Sequence, residues 1–202
     1  MNISRRNLLK ASAPLAGLSL APLAKENAVA KNKKNLTICL NLSTIMGQNL
    51  GFIKELEVAS KAGFRSVEIW VPTLEKYLNN GGSIAEAKKV INDLGLTVQN
   101  TIGFAPWIVD EVEVRAKGLE QLKKEMGWVR ELGCKRIAAP PMGAQNNPNI
   151  NLKAAGERYG KILEVGKQME VIPQLEMWGH SKCLNRVADA LFIAAEAGKE
   201  DA

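Results

Sequence analysis

From Leu36 onward the chain repeats one pattern: a short apolar run, a turn, an amphipathic helix, then a glycine that leads into the next run. The runs are Leu36 to Ser43, Ser66 to Val71, Thr97 to Gly103, Arg136 to Ala139 and Val171 to Met177. Each is short and apolar on both faces, as parallel strands buried between two layers are. Longer stretches with helical periodicity separate them, so the organisation is βα. Gly63, Gly95 and Gly133 fall where helices must stop, because a left-handed residue is needed there and glycine adopts it without strain. They stand 32 and 38 residues apart, and Gly133 to Gly198 spans two further units of similar length.

Helix starts can be read in the same way. Ser83-Ile84-Ala85-Glu86 is a capping box, in which the serine oxygen takes the third helical amide and the glutamate reaches back to the cap amide. Asp110 with Glu113, and Asn151 after Pro148, are placed to open the next two helices.

Two architectures accommodate five βα units. An eightfold parallel barrel of the TIM type needs about 250 residues. Lys31 to Ala202 is 172 residues, enough for about five units, and the sequence stops where a sixth strand is expected. The rival is a doubly wound open sheet of the flavodoxin type, binding a cofactor, for which five units suffice. Against it, the first strand-to-helix loop, Thr44 to Asn49, has no glycine-rich phosphate cradle, and no GxGxxG or Walker pattern occurs in the chain. Gly81-Gly82-Ser83 offers free amides to an anion but reads more simply as a turn.

Residues 1–30 stand apart. Ser4-Arg5-Arg6-Asn7-Leu8-Leu9-Lys10 precedes a weakly apolar stretch, Ala11 to Ala24, and Ala28-Val29-Ala30 supplies a small-x-small cleavage site. This layout resembles a twin-arginine export signal, with cleavage expected after Ala30 and a periplasmic destination. The apolar run is shorter than the ~20 residues a membrane-crossing helix needs and contains Pro14 and Pro22, so a stable membrane anchor is not expected.

The net charge is +6, of which residues 1–30 carry +3 through Arg5, Arg6, Lys10 and Lys25 against Glu26. The remaining lysines lie mostly beside glutamates on helical stretches, as over Glu120 to Glu125, which reads as a solvated face, so no nucleic-acid partner is expected. Cys39, Cys134 and Cys183 are widely spaced and form no metal knuckle or disulfide framework. Cys39 and Cys134 read as core residues.

Ligands of parallel βα proteins bind at the carboxyl ends of the strands. Here the second run ends Val67-Glu68-Ile69-Trp70, and the fifth ends Gln174-Leu175-Glu176-Met177-Trp178-Gly179-His180. A carboxylate inside an apolar strand is costly unless it is paired, hydrogen-bonded or bound to a metal. Either carboxylate alone is also compatible with a structural ion pair. His180 is the only histidine in the chain, at the expected rim. Trp70, Trp107 and Trp178 fall at or just after strand ends, where an aromatic face stacks on sugar C–H groups or simply packs in the core. Asn41, Phe104 and Met142 occupy similar places as weaker candidates.

The VEIW of the second strand, the AGF that closes the helix before it and the LEMWGHS of the fifth resemble the xylose isomerase-like TIM-barrel superfamily, especially its sugar phosphate isomerase/epimerase members, over about residues 36 to 202. The resemblance implies a divalent cation (manganese, magnesium, cobalt or zinc) at the barrel mouth, with Glu176 as the fifth-strand ligand and as one of two glutamates that exchange a proton through an enediolate. It implies a small sugar substrate, with Glu68, Trp70, Trp107, Trp178 and His180 contacting it. Ligands expected on strands six to eight have no counterpart in the chain, so the metal site is incomplete and activity is expected only if those strands are supplied. A second reading is a noncatalytic sugar-binding remnant. Unclosed edges and exposed apolar faces would then favour a homo-oligomer.

Overall fold

The computed structural model describes residues 36–198, and the expected signal over residues 1–30 lies outside them. In chain order the elements are β1 (Cys39–Asn41), α1 (Ser43–Met46), α2 (Phe52–Lys61), β2 (Ser66–Trp70), α3 (Val71–Asn79), α4 (Ile84–Asp93), β3 (Thr97–Ile102), α5 (Val112–Glu131), β4 (Arg136–Ala139), α6 (Leu152–Met169), β5 (Ile172–Leu175) and α7 (Val187–Ala197). Among the described residues no helix is long and apolar enough to cross a membrane.

The strands lie in the order β1-β2-β3-β4-β5, and every neighbouring pair is parallel. Sequential order means that every crossover steps in one direction, as in a barrel, whereas a doubly wound sheet reverses at a switch point. The flavodoxin-type alternative is thereby excluded. β1 and β5 do not pair, so the sheet is a five-stranded, unclosed part of a TIM-type barrel.

The period of the strands separates two faces. Val67 and Ile69 of β2 are fully buried in one cluster with Leu56 of α2 and Leu74 of α3, and Ile137 of β4 joins Leu122 and Met126 of α5. Each such side chain stabilises the fold by about 1.5–3 kcal/mol. The alternate residues Glu68 and Trp70 lie on the other face, where polar groups gather. Cys39, expected in the core, is exposed because β1 is an edge strand that pairs only with β2 among the described residues, while Cys134 is buried as expected.

Helix termini follow the sequence with two corrections. Gly63, Gly95, Gly133 and Gly198 have φ of 95°, 63°, 85° and 61°, and the Asn151 side chain accepts the Ala154 amide at 3.1 Å to cap α6. The Ser83 hydroxyl accepts the Glu86 amide at 3.1 Å, but the Glu86 carboxylate does not return to the cap; it accepts the Tyr77 hydroxyl at 2.5 Å. Tyr77 wins because its ring lies over Gly82, where any Cβ would collide with it. Asp110 does not cap α5, whose cap is Glu111 with no side-chain bond; instead it pairs with Arg158 of α6 at 2.8 Å.

Candidate functional site

The polar face of the sheet is organised around Glu68. Asn41 of β1 stands in register with it, and the Asn41 amide donates to Glu68 Oε2 at 2.5 Å. On the other side the register between β2 and β3 shifts by one residue, so that Val67 pairs with Val98 but Glu68 with Asn100. That bulge puts the Asn100 amide 2.8 Å from Glu68 Oε1. Since a carboxylate only accepts, both amide groups must present their nitrogen to it. Asn41 Oδ1 in turn accepts the Trp70 indole N–H and the Ser43 amide, each at 2.9 Å. Asn100 Oδ1 is buried without a partner.

Glu176 follows β5 directly, its amide donating to the Ala139 carbonyl at 3.3 Å. Its carboxyl is half-buried, and Oε2 is buried with no hydrogen-bond partner. Burial pushes its pKa up, a side-chain hydrogen bond with Trp178 opposes this, and the charge of Glu68 raises it further. The charge of Glu68 thus reaches Glu176 across the strand ends.

The strand ends also carry an aromatic row. Trp70 at the end of β2 lies 5.0 Å from Phe104, Phe104 lies 6.2 Å from Trp178, and Trp178 stacks on His180 at 5.0 Å and 25°. The row joins the ends of β2, β3 and β5, with His180 exposed at its outer end. Flat apolar rings beside two carboxyls can hold the C–H face of a polyol while its hydroxyls donate to oxygen acceptors.

Trp107 is not part of this row. It is 1% exposed, donates its indole N–H to the Pro140 carbonyl at 2.9 Å and packs 5.8 Å from Tyr159. Its position a few residues past β3 turns it under the loop, so its ring face is not available to a ligand. Met142 sits in the turn after β4, its amide on the Pro140 carbonyl at 2.7 Å. Asn100, which the sequence reading does not include, is a polar residue inside an apolar run, the same local signal that marks Glu68.

As to a metal, among the described residues no three of His, Cys, Asp and Glu gather into a group able to hold one. The orphaned Glu176 Oε2 is suited to a hard cation as one oxygen donor, but one carboxylate binds such an ion weakly. The donor set of residues 36–198 does not by itself fit a resident metal.

Among curated proteins no match was found. Solved structures of the same fold are numerous. The IolI protein with a bound zinc atom is 17% identical, superposes at a TM-score of 0.70, and is matched over 82% of this chain and 60% of its own. The 3-keto-D-glucoside 4-epimerase YcjR from E. coli is 21% identical over 81% of this chain and 65% of its own, at a TM-score of 0.62. D-Psicose 3-epimerase from Clostridium cellulolyticum, solved with D-tagatose, is 14% identical over 82% of this chain and 61% of its own, at 0.64. This chain thus spans about three-fifths of the length of these structures. The family model described as xylose isomerase-like TIM barrel matches residues 56–202, and with the sequential parallel sheet and the polar strand-end mouth it shows that the chain belongs to the xylose isomerase-like TIM-barrel family.

Proposed function

We propose that the strand ends of this chain form the mouth of a sugar isomerase or epimerase, in which Glu176 moves a proton at the carbon next to the substrate carbonyl. The observation that carries the reading is an acidic residue on β2, Glu68, and another directly after β5, Glu176, with the contacting rings of Trp70, Phe104 and Trp178 joining the ends of the same parallel strands. Burial raises the pKa of Glu176, which makes its carboxylate a stronger base than a solvated one. In the step proposed, Glu176 takes the C–H proton as the bond electrons form the enediolate, and a second acid returns a proton to the opposite face or neighbouring carbon. Glu68, oriented by Asn41 and Asn100, keeps lone pairs for a substrate hydroxyl. The sugar epimerases among the similar structures favour this reading of the mouth.

We also infer a divalent cation at this mouth, with Glu176 as one oxygen donor; the zinc atom bound in the IolI structure supports this.

The test is exchange of solvent deuterium into the carbon next to the carbonyl of a ketohexose, followed by NMR in the purified protein with added manganese. Glu176→Gln is expected to lower exchange by about 100-fold or more, the usual weight of a general base, while the circular dichroism spectrum stays unchanged. Undiminished exchange at saturating metal would remove Glu176 from the chemistry.

A further inference from the structure

At the end of β1, the short side chain of Asn41 makes three hydrogen bonds. Its Oδ1 accepts the Ser43 amide and the Trp70 indole N–H, each at 2.9 Å, and its Nδ2 donates to Glu68 Oε2 at 2.5 Å. The bond to Ser43, two residues on, is an Asx turn at the passage from β1 to α1. The backbone thus fixes where Oδ1 lies. Flipping the amide would set Oδ1 against a carboxylate and Nδ2 against two donors, so its orientation is locked.

Glu68 and Trp70 stand two residues apart on one face of β2, roughly 6–7 Å along the strand. Asn41, in register with Glu68 on the neighbouring strand, bonds the carboxylate through one atom and the indole through another. An indole N–H only donates, and Asn41 Oδ1 is the acceptor it has here. With Phe104 at 5.0 Å, the Trp70 ring is held by two contacts.

We infer that Asn41 is a positioning residue for sugar binding, which holds the Glu68 carboxylate and the Trp70 ring as one unit, so that a sugar meets a hydroxyl acceptor and an apolar face in a fixed relation. The inference rests on the sugar reading of the mouth. Side chains ordered before the sugar arrives need not be ordered by it, and the affinity rises by that difference. Asn41 itself moves no proton, so its weight falls on KM rather than on kcat.

The ketohexose exchange assay on the purified protein at pH 8 tests this, together with the emission of Trp70, separated from that of Trp107, Trp128 and Trp178 as the difference from Trp70→Phe. Asn41→Leu is expected to raise KM about 10-fold, the weight of a hydrogen bond to a charged group, and to alter kcat by less than about threefold. The Trp70 emission should move to the red as the released ring turns toward water. Asn41→Asp keeps the two acceptor bonds, and with them the turn, but loses the donor to Glu68. It should raise KM as well, while the Trp70 emission stays at its wild-type position. Combining Asn41→Leu with Trp70→Phe should raise KM by less than the product of the two single effects, since both act on one ring. An unchanged KM in both Asn41 variants, a loss carried by kcat alone, or single effects that multiply overturns the positioning role and leaves the mouth reading standing. A wild-type protein that exchanges no ketohexose proton overturns both.

Discussion

Glu125 of α5 is 4% exposed; its Oε1 accepts the Gln121 amide at 2.8 Å, and its Oε2 is buried without a partner. Its surroundings are Gly103 and Ile137, with Glu75 of α3 and Lys124 of its own helix as the acting charges. Burial pushes its pKa up to about 7, the Gln121 bond lowers it, Glu75 raises it and Lys124 lowers it. A carboxyl whose folded pKa lies above the ordinary 4.5 holds a proton that the unfolded chain has lost, so its stabilising contribution is complete below pH 4.5 and disappears as pH rises through about 7. The whole effect is about 3 kcal/mol at most. Urea denaturation at pH 5 and pH 8 should therefore show a loss on going to the higher pH that Glu125→Gln largely removes; equal slopes in both proteins would refute the buried proton. Over Glu120 to Glu125 the sequence reads as a solvated face, which holds for Lys124, in its ion pair with Glu75 at 3.0 Å, but not for Glu125. A glutamate inside an apolar strand stands out, so Glu68 and Glu176 could be singled out from sequence. One on a charged helix does not, which is why the buried Glu55 of α2 and Glu125 could not be told from their exposed neighbours.

Elements show where propensity and packing compete. Gly118 and Gly127 both lie within α5, where alanine is the better helix former by about 1 kcal/mol. At Gly127 a Cβ would meet only Met169 Cε at 3.8 Å, ordinary contact, whereas at Gly118 it would stand 2.8 Å from the Pro106 carbonyl oxygen and 2.9 Å from its carbon. Those are backbone atoms of the loop after β3, which cannot turn aside as a side chain does. Gly127→Ala is therefore expected to stabilise by up to about 1 kcal/mol, and Gly118→Ala to destabilise by about 1–3 kcal/mol through overpacking, both read as shifts in urea midpoint. Stabilisation by both would show that the loop yields. The strand positions and helix stops were legible because apolar runs and closing glycines are local signals. The fate of Asp110 was not, since its partner Arg158 lies 48 residues along the chain, and no local pattern announces a long-range ion pair.

At the scale of the molecule, an unclosed parallel sheet meets a physical difficulty. Parallel strands normally have both faces covered and both edges paired, yet β1 and β5 here end the sheet. Next to β5 the apolar side chains of Ile172, Met177, Val187, Leu191 and Phe192 are between 41% and 65% exposed. Ile172, Met177, Val187 and Leu191 border a groove of about 450 Å³ between β5 and α7. Contiguous exposed apolar surface next to unpaired backbone favours association, because a second molecule removes the apolar area from water and offers hydrogen bonds to the edge. We expect a chain of this sequence to self-associate, with a sedimentation coefficient that rises between about 1 and about 100 µM. Leu191→Lys combined with Ile172→Thr should hold it at the monomer value, since a charge and a hydroxyl at those two positions break the patch without touching the buried side of α7, where Ile193 is fully enclosed. A monomer at every concentration before any substitution would mean that the groove closes on itself in solution, and the apolar face of α7 would then require a different covering.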